Sequence, residues 1–343
     1  MKKTLLLTVA AMLMSCTILS ANAEDVKLKV NGEIIVTDTA PEIINDRVMV
    51  PVRAVAEALK SDVAWDRENK AVSVFDGTEL CFLWIDKDGA FKTDGLSLTG
   101  TYKMDVTPLI KNDRTLVPIR AISELFGATV DWIGEERTVR VDYEVKKTEE
   151  ELTGTAQQLS PYTATMSQMY DVYYDYAFGK KNVVMAEIEL EGDKKMSLEL
   201  YPDIAPATVE NFVKLANEGT FDVKIFHRVF NDFMIQGGAY DKEGHITETE
   251  AIYGEFLTNG WFNLVGHERG VISMARTQYP DTASNQFFIV HKDSPHLNGE
   301  YAAFGKVIEG IEYVDEIAGT ETDEGDKPVK NQVIKSIKII DAE

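Results

Sequence analysis

The sequence predicts two folded parts: an α+β module made of two strand–helix–strand copies, then a mainly β half that closes as an antiparallel barrel. Three observations carry this. A Val-Pro-x-Arg motif between a strand pattern and a helix pattern occurs twice, 67 positions apart (Arg53 and Arg120, with Trp65 and Trp132 sharing the offset). Residues 181–343 read as many short strands with only two helices, a barrel pattern. The chain has 343 residues, which at about 150 per domain points to two domains.

Composition narrows the function classes. Hydrophobic residues make up 44 % and charged residues 27 % of the chain, enough apolar material for a sizeable core. The formal net charge is −22. A phosphate backbone is held by clustered Lys and Arg, so this balance argues against nucleic acid as a partner. The same field disfavours docking on an anionic membrane surface.

Residues 1–23 read as a secretory signal peptide. Lys2 and Lys3 precede an apolar stretch from Leu5 to Leu19, and Ala21-Asn22-Ala23 offers a small-x-small cleavage site. The stretch is shorter than the ~20 residues a spanning helix needs. Leu13-Met14-Ser15-Cys16 resembles a lipobox, which would make Cys16 a lipid-bearing N-terminus. Either processing leads to a secreted or cell-surface chain. Cys81 lies in the apolar run Leu80–Trp84 and is expected to be a buried, inert thiol.

Residues 24–143 hold the repeat. Arg47-Val48-Met49-Val50-Pro51-Val52-Arg53 recurs as Arg114-Thr115-Leu116-Val117-Pro118-Ile119-Arg120. Each copy reads as a short strand ending at Val-Pro, with the proline at the first helical position, where a missing N–H costs nothing. Val55, Ala56 and Leu59, and then Ile122, Leu125 and Phe126, give each helix an apolar face. A Trp-bearing strand and a β-rich strand follow in both copies. On these motifs the segment resembles the copper amine oxidase N-terminal-like domain. All five histidines lie at position 227 or beyond, so no metal site is expected here despite that name. The expectation is a spacer or attachment module, with the cell wall as a candidate partner. Arg53 and Arg120 are candidate ligand contacts, against a plainer reading as partners of helix ends or carboxylates. Residues 144–180 read as a linker, with the aromatic stretch Tyr162–Phe178 expected to form a helix on one neighbouring domain.

The second half, 181–343, opens with a hairpin pattern. Val184, Ala186, Ile188 and Leu190 alternate, Gly192-Asp193 turns, and Met196, Leu198 and Leu200 alternate back. A helix follows, from Pro206 in its first turn to Gly219 at its end. Strand segments bearing Phe226-His227-Arg228-Val229, Phe233-Met234-Ile235-Gln236-Gly237-Gly238, Ser273-Met274-Ala275, Gln286-Phe287-Phe288-Ile289 and Phe304-Gly305-Lys306-Val307 come next, then a helix and a last strand.

In that order and spacing these motifs resemble the cyclophilins. The resemblance covers about 160 residues. It implies an eight-stranded antiparallel β-barrel capped by two helices and peptidyl-prolyl cis–trans isomerase activity with no cofactor. It implies roles as well. Arg228 matches the catalytic arginine and Gln236 the anchor for substrate backbone, with Phe233 beside them. Met234, Phe288 and Leu297 match the rest of the proline pocket. Ala275, Arg276, Gln286, His296 and Tyr301 match positions that contact substrate. His291 and His296 lack further ligands, so no metal is expected there. Two positions depart from the family pattern: His296 stands where many members carry Trp, and Tyr301 where His is frequent. Loss of the indole N–H leads to an expectation of weak or absent cyclosporin binding. Arg276, in place of a smaller neutral residue, adds charge that would favour acidic residues near the target proline. The sequence thus reads as an isomerase that assists folding of exported proteins. The rival reading is a module that binds proline-containing segments, or the cell wall, with little turnover.

Overall fold

The computed structural model describes residues 25–144, 160–179 and 181–340. The segment read as a signal peptide, the lipobox cysteine Cys16 and the polar part of the expected linker lie outside these residues.

The repeat is built around a local two-fold axis. Strands Arg47–Pro51 and Arg114–Pro118 pair antiparallel, with Val50 opposite Val117. These are equivalent residues of the two copies, so the axis passes between them. Each strand also pairs with its own hairpin partner, Glu42–Ile44 or Leu109–Lys111, giving a four-stranded sheet. Both hairpins turn on an Asn-Asp pair with positive φ at both residues (48° and 61°; 49° and 58°), the backbone a two-residue turn between right-twisted strands requires. The prolines sit one position earlier than expected. Pro51 and Pro118 end the strands with ψ near 120° and serve as N-caps of the helices Val52–Ala58 and Ile119–Leu125. Val50, Val55, Val117, Ile122 and Phe126 pack between the sheets as one core. The Trp65 strand Asp62–Asp66 opens a five-stranded sheet that runs on through Ala71–Phe75, Leu80–Trp84, Gly89–Thr93 and Leu98–Lys103. Its counterpart Thr129–Ile133 pairs with Thr138–Asp142, which takes the first strand, Lys27–Val30, in parallel.

The second half is a closed barrel of eight antiparallel strands with helices Pro206–Asn217 and Ile311–Ala318 against it. Around the barrel the order is Val184–Leu190, Lys195–Leu200, Ala303–Glu309, Val271–Met274, Phe287–Val290, Met234–Asp241, Lys224–Phe230 and Gln332–Ile340, which pairs back to the first. Alternation sorts side chains to two faces. Ile235, Phe287 and Ile289 enter an interior cluster that includes Phe212, Phe226 and Phe304. Met234, Phe288 and Val290, one residue along, join a second cluster with Leu297 and Ala303. The interior is filled, with ring centroids of Phe212 and Phe304 5.3 Å apart. A ligand must therefore use the outer wall.

The aromatic stretch differs from the expected linker. Ser160–Gln168 and Tyr170–Ala177 are two helices packed against both halves rather than one. On the N-terminal side, the Trp84 indole donates to Ser167 Oγ (2.8 Å) and Gly89 N–H donates to Tyr170 Oη (2.9 Å). On the barrel side, Tyr173 is fully buried; its hydroxyl accepts from Leu264 N–H (2.8 Å) and donates to the Phe262 carbonyl (3.2 Å). The modules also touch directly, Leu98 N–H donating to the Leu264 carbonyl (2.9 Å).

Tyr173→Phe keeps the ring and strands two backbone groups, the buried Leu264 N–H and the part-buried Phe262 carbonyl. It should cost about 1–3 kcal/mol, read as a lower urea midpoint; an unchanged midpoint would mean that this hydroxyl does not tie the segments together.

Candidate active site

Sheet register builds the site. Arg228 on Lys224–Phe230 lies opposite Gln236, and Gln236 lies opposite Phe288 on Phe287–Val290. Directly opposed residues of antiparallel strands share a face, so one row on the outer wall presents a guanidinium, an amide and an aromatic ring. The ladder slips by one residue between Phe226 and Arg228, and such a bulge re-aims the side chains beside it. Gly238 makes this local geometry accessible. Its φ is +104°, and a Cβ there would lie 2.3 Å from the Asn285 carbonyl oxygen.

The row opens on a cavity of about 160 Å³ lined by Arg228, Phe233, Met234, Gln236, Ala275, Arg276, Phe288, Leu297 and Tyr301. Met234, Phe288 and Leu297 are buried and form its apolar floor. Two expected residues stand one contact behind the wall. Gln286 accepts from Gln236 Nε2 (3.0 Å), orienting that amide. His296 is exposed and lies against Phe233 at 5.3 Å between ring centroids. Arg228 is exposed, rests over the Phe230 ring at 4.7 Å, and makes no ion pair among the described residues. Its donors face solvent at the cavity edge.

Arg276 departs from expectation. Its Nε donates to the Glu300 carbonyl (3.0 Å), its Nη1 to the Thr277 carbonyl (3.0 Å), and its Nη2 pairs with the Glu300 carboxylate (3.2 Å). The guanidinium also lies over the Tyr301 and Phe256 rings, at 4.6 and 4.9 Å. Only 12 % of its side chain is exposed. It is a wall held to Glu300, not a free charge, so the expected preference for acidic substrates does not follow.

Two histidines stand behind the site; from sequence His227 reads as structural rather than as a base, because the reaction needs none, and His267 was not singled out. His267 is buried; its ring nitrogens meet Asn298 Oδ1 (3.1 Å) and Ser273 Oγ (3.0 Å), and its ring stacks behind Phe288 at 6.0 Å. Ser273 is the next member of the Arg228–Gln236–Phe288 row, so the hydrogen bond ties that row to the loop bearing Leu297. His227 lies against Tyr240, 4.5 Å between centroids, with Nδ1 buried and unpartnered. It is absent from the cavity wall, consistent with a structural histidine rather than a base. Burial pushes both imidazoles down to about 4; at His227 the Arg228 charge adds to this, and at His267 the Asn298 bond opposes it.

The sign of the pH effect follows. Between pH 6.5 and about 4 the unfolded chain binds protons at these histidines that the folded chain refuses. Stability from this source is complete above pH 6.5 and declines as pH falls. The urea midpoint should be lower at pH 5 than at pH 7, and His227→Phe should flatten part of the decline. Equal midpoints, or an unaltered curve in the variant, would contradict the assignment.

Comparison with known proteins follows this geometry. A family model described as cyclophilin type peptidyl-prolyl cis-trans isomerase/CLD matches residues 185–339. The copper amine oxidase N-terminal domain matches residues 9–74, 29–141 and 97–158, overlapping placements that reflect the repeat. Copper does not suit the residues present: the module has no histidine, and burial pushes the Cys81 thiol up, away from thiolate. Peptidyl-prolyl cis-trans isomerase B of Bacillus subtilis is 48 % identical over 124 residues, covering 36 % of this chain and 83 % of the relative. Isomerase cyp18 of Streptomyces antibioticus is 39 % identical over 169 residues, covering 46 % and 99 %. Isomerase ppi1 of Schizosaccharomyces pombe is 37 % identical over 158 residues, covering 45 % and 100 %. With its filled eight-stranded barrel and the slot beside Arg228, the chain belongs to the cyclophilin-type peptidyl-prolyl cis-trans isomerases.

Proposed function

We propose that the enzyme accelerates X–Pro isomerisation in exported proteins, with Arg228 as the catalytic group and the Phe233–Met234–Phe288–Leu297 slot as the seat of the proline ring. The observation that carries this is the cross-strand row. It sets a guanidinium and an amide beside an apolar slot of about 160 Å³.

The chemistry asks for little else. Rotation about the X–Pro bond breaks amide resonance, a barrier of about 18–20 kcal/mol. No bond is made or broken and no proton must move. In the twisted amide the nitrogen lone pair localises and accepts a hydrogen bond, which Arg228 is placed to donate from the cavity edge. Gln236, held by Gln286, is oriented for the flanking backbone. A donor aimed at charge that develops only in the transition state lowers the barrier without tightening ground-state binding. Charge-assisted bonds contribute roughly 1.5–3 kcal/mol each, so one or two supply part of the acceleration. Fixing the peptide backbone supplies the rest.

The signal-peptide and lipobox patterns support export and a surface location, and the repeat module supports attachment to the cell wall. Turnover, rather than binding of proline segments alone, is favoured by the unpaired Arg228: an ion-paired arginine would have to break that pair before reaching a substrate.

In a proline-limited refolding assay, Arg228→Ala should lower kcat/KM about 10–100-fold, as expected for one lost charge-assisted bond. Arg228→Lys should also fall well short, because an ammonium cannot reproduce the planar fork. Rates equal to wild type would remove the mechanism. Cyclosporin should inhibit weakly, since His296 offers no indole N–H at the slot; tight inhibition in a titration would refute this.

A further inference from the structure

The N-terminal module carries two grooves that its two-fold axis relates. The first is a cavity of about 670 Å³ whose wall includes Pro51, Arg53, Val63 and Trp65 with Asp113 and Arg114. The second, about 330 Å³, includes Pro118, Arg120, Val130 and Trp132 with Asp46 and Arg47. Every one of these six residues has its partner 67 positions away in the other groove. Each groove combines the Val-Pro-x-Arg turn and Trp strand of one copy with the Asn-Asp hairpin of the other, so neither copy alone holds one.

The tryptophans distinguish a binding wall from a packing one. Trp84 and Trp261 donate their indole N–H to Ser167 and to the Ile204 carbonyl. Trp65 and Trp132 are 38 % and 43 % exposed. Among the described residues neither donates a hydrogen bond, and no cation or second ring covers either face. The arginines divide in the same manner. The hairpin pair is committed to the fold, Arg114 to Asp38 (2.5 Å) and Arg47 to the equivalent Asp105. The motif pair is exposed: Arg53 makes no ion pair among the described residues, and Arg120 meets only Glu124 on its own helix (3.3 Å).

We propose that these twin grooves bind a cell-wall glycan whose repeating units bear carboxylates on their peptide stems, the sugar face lying on Trp65 or Trp132 and a stem carboxylate on Arg53 or Arg120. A pyranose offers an apolar C–H face that fits an open indole, and hydroxyls that suit its free N–H and the groove carboxylates. A guanidinium fork matches a carboxylate in two parallel bonds. Arg53, unpaired among the described residues, and Arg120, held only by the exposed Glu124 of its own helix, supply local positive charge for an acidic ligand against the overall net charge of −22. Two equivalent sites on one rigid module suit a repeating polymer, where joint engagement raises avidity without new contacts. This deepens the cell-wall role proposed above and rests on export, but not on isomerase activity.

The test is co-sedimentation of the full chain with peptidoglycan sacculi stripped of teichoic acid. Wild type should sediment, and amidation of the sacculus carboxylates should weaken binding. Trp65→Ala or Trp132→Ala should each weaken binding about tenfold or more through lost avidity. The double variant should abolish it with the prolyl isomerase rate unchanged. Arg53→Gln with Arg120→Gln, two exposed substitutions that spare the core, should lose binding likewise. No sedimentation by wild type, equal sedimentation by the double tryptophan or double arginine variant, or indifference to amidation would overturn the proposal. A failed isomerase assay would leave it standing.

Discussion

The enzyme depends on one constraint, the closure of an eight-stranded barrel around an interior already full of phenylalanine. A filled interior leaves the outer wall as the place for a ligand. Closure locks strand register, and register sets Arg228, Gln236 and Phe288 in one line. A slip of one residue would turn each of these side chains to the opposite face. The bulge before Arg228 and the Gly237-Gly238 pair adjust that line locally, where a Cβ would strike backbone. Chemistry that needs only a donor, an anchor and an apolar seat is thus delivered by backbone hydrogen bonds.

A second layer holds the first. His267 joins Ser273, the next member of the row, to Asn298, beside Leu297. Its neutrality follows from burial, and the same burial makes the fold sensitive to acid. The N-terminal module reaches this layer as well. Leu98 meets Leu264 through a backbone hydrogen bond, and a Cβ on Gly299 would lie 3.0 Å from Leu96. The aromatic helices between the halves bury Tyr173 on the same loop.

The barrel and its two helices were legible because a short strand writes its faces into alternation; the site residues were legible only through the family resemblance, since alone Phe233, Met234 and Phe288 read as core, and nine of the eleven line one cavity. Gln286 and His296, expected to contact substrate, instead touch Gln236 and Phe233 and do not line the cavity. Arg276 was misread because its partner Glu300 is distant in sequence, and only the fold shows its charge is occupied. Tyr162–Phe178 lacks a clean helical period because it faces two partners at once, so its pattern sums two buried sides. The repeat offset was plain, but the hairpin exchange that builds each groove depends on pairing between copies, which no local pattern encodes. The prolines sit at the caps rather than inside the helices because ladder pairing holds their ψ extended.

The most direct measurement is a structure of the full chain with a short X–Pro peptide. The account places the pyrrolidine ring among Phe233, Met234, Phe288 and Leu297, with Gln236 on the flanking backbone and an Arg228 donor within hydrogen-bond reach of the X–Pro amide. A peptide seated elsewhere, or Arg228 turned away from the amide while the ring fills the slot, would contradict it.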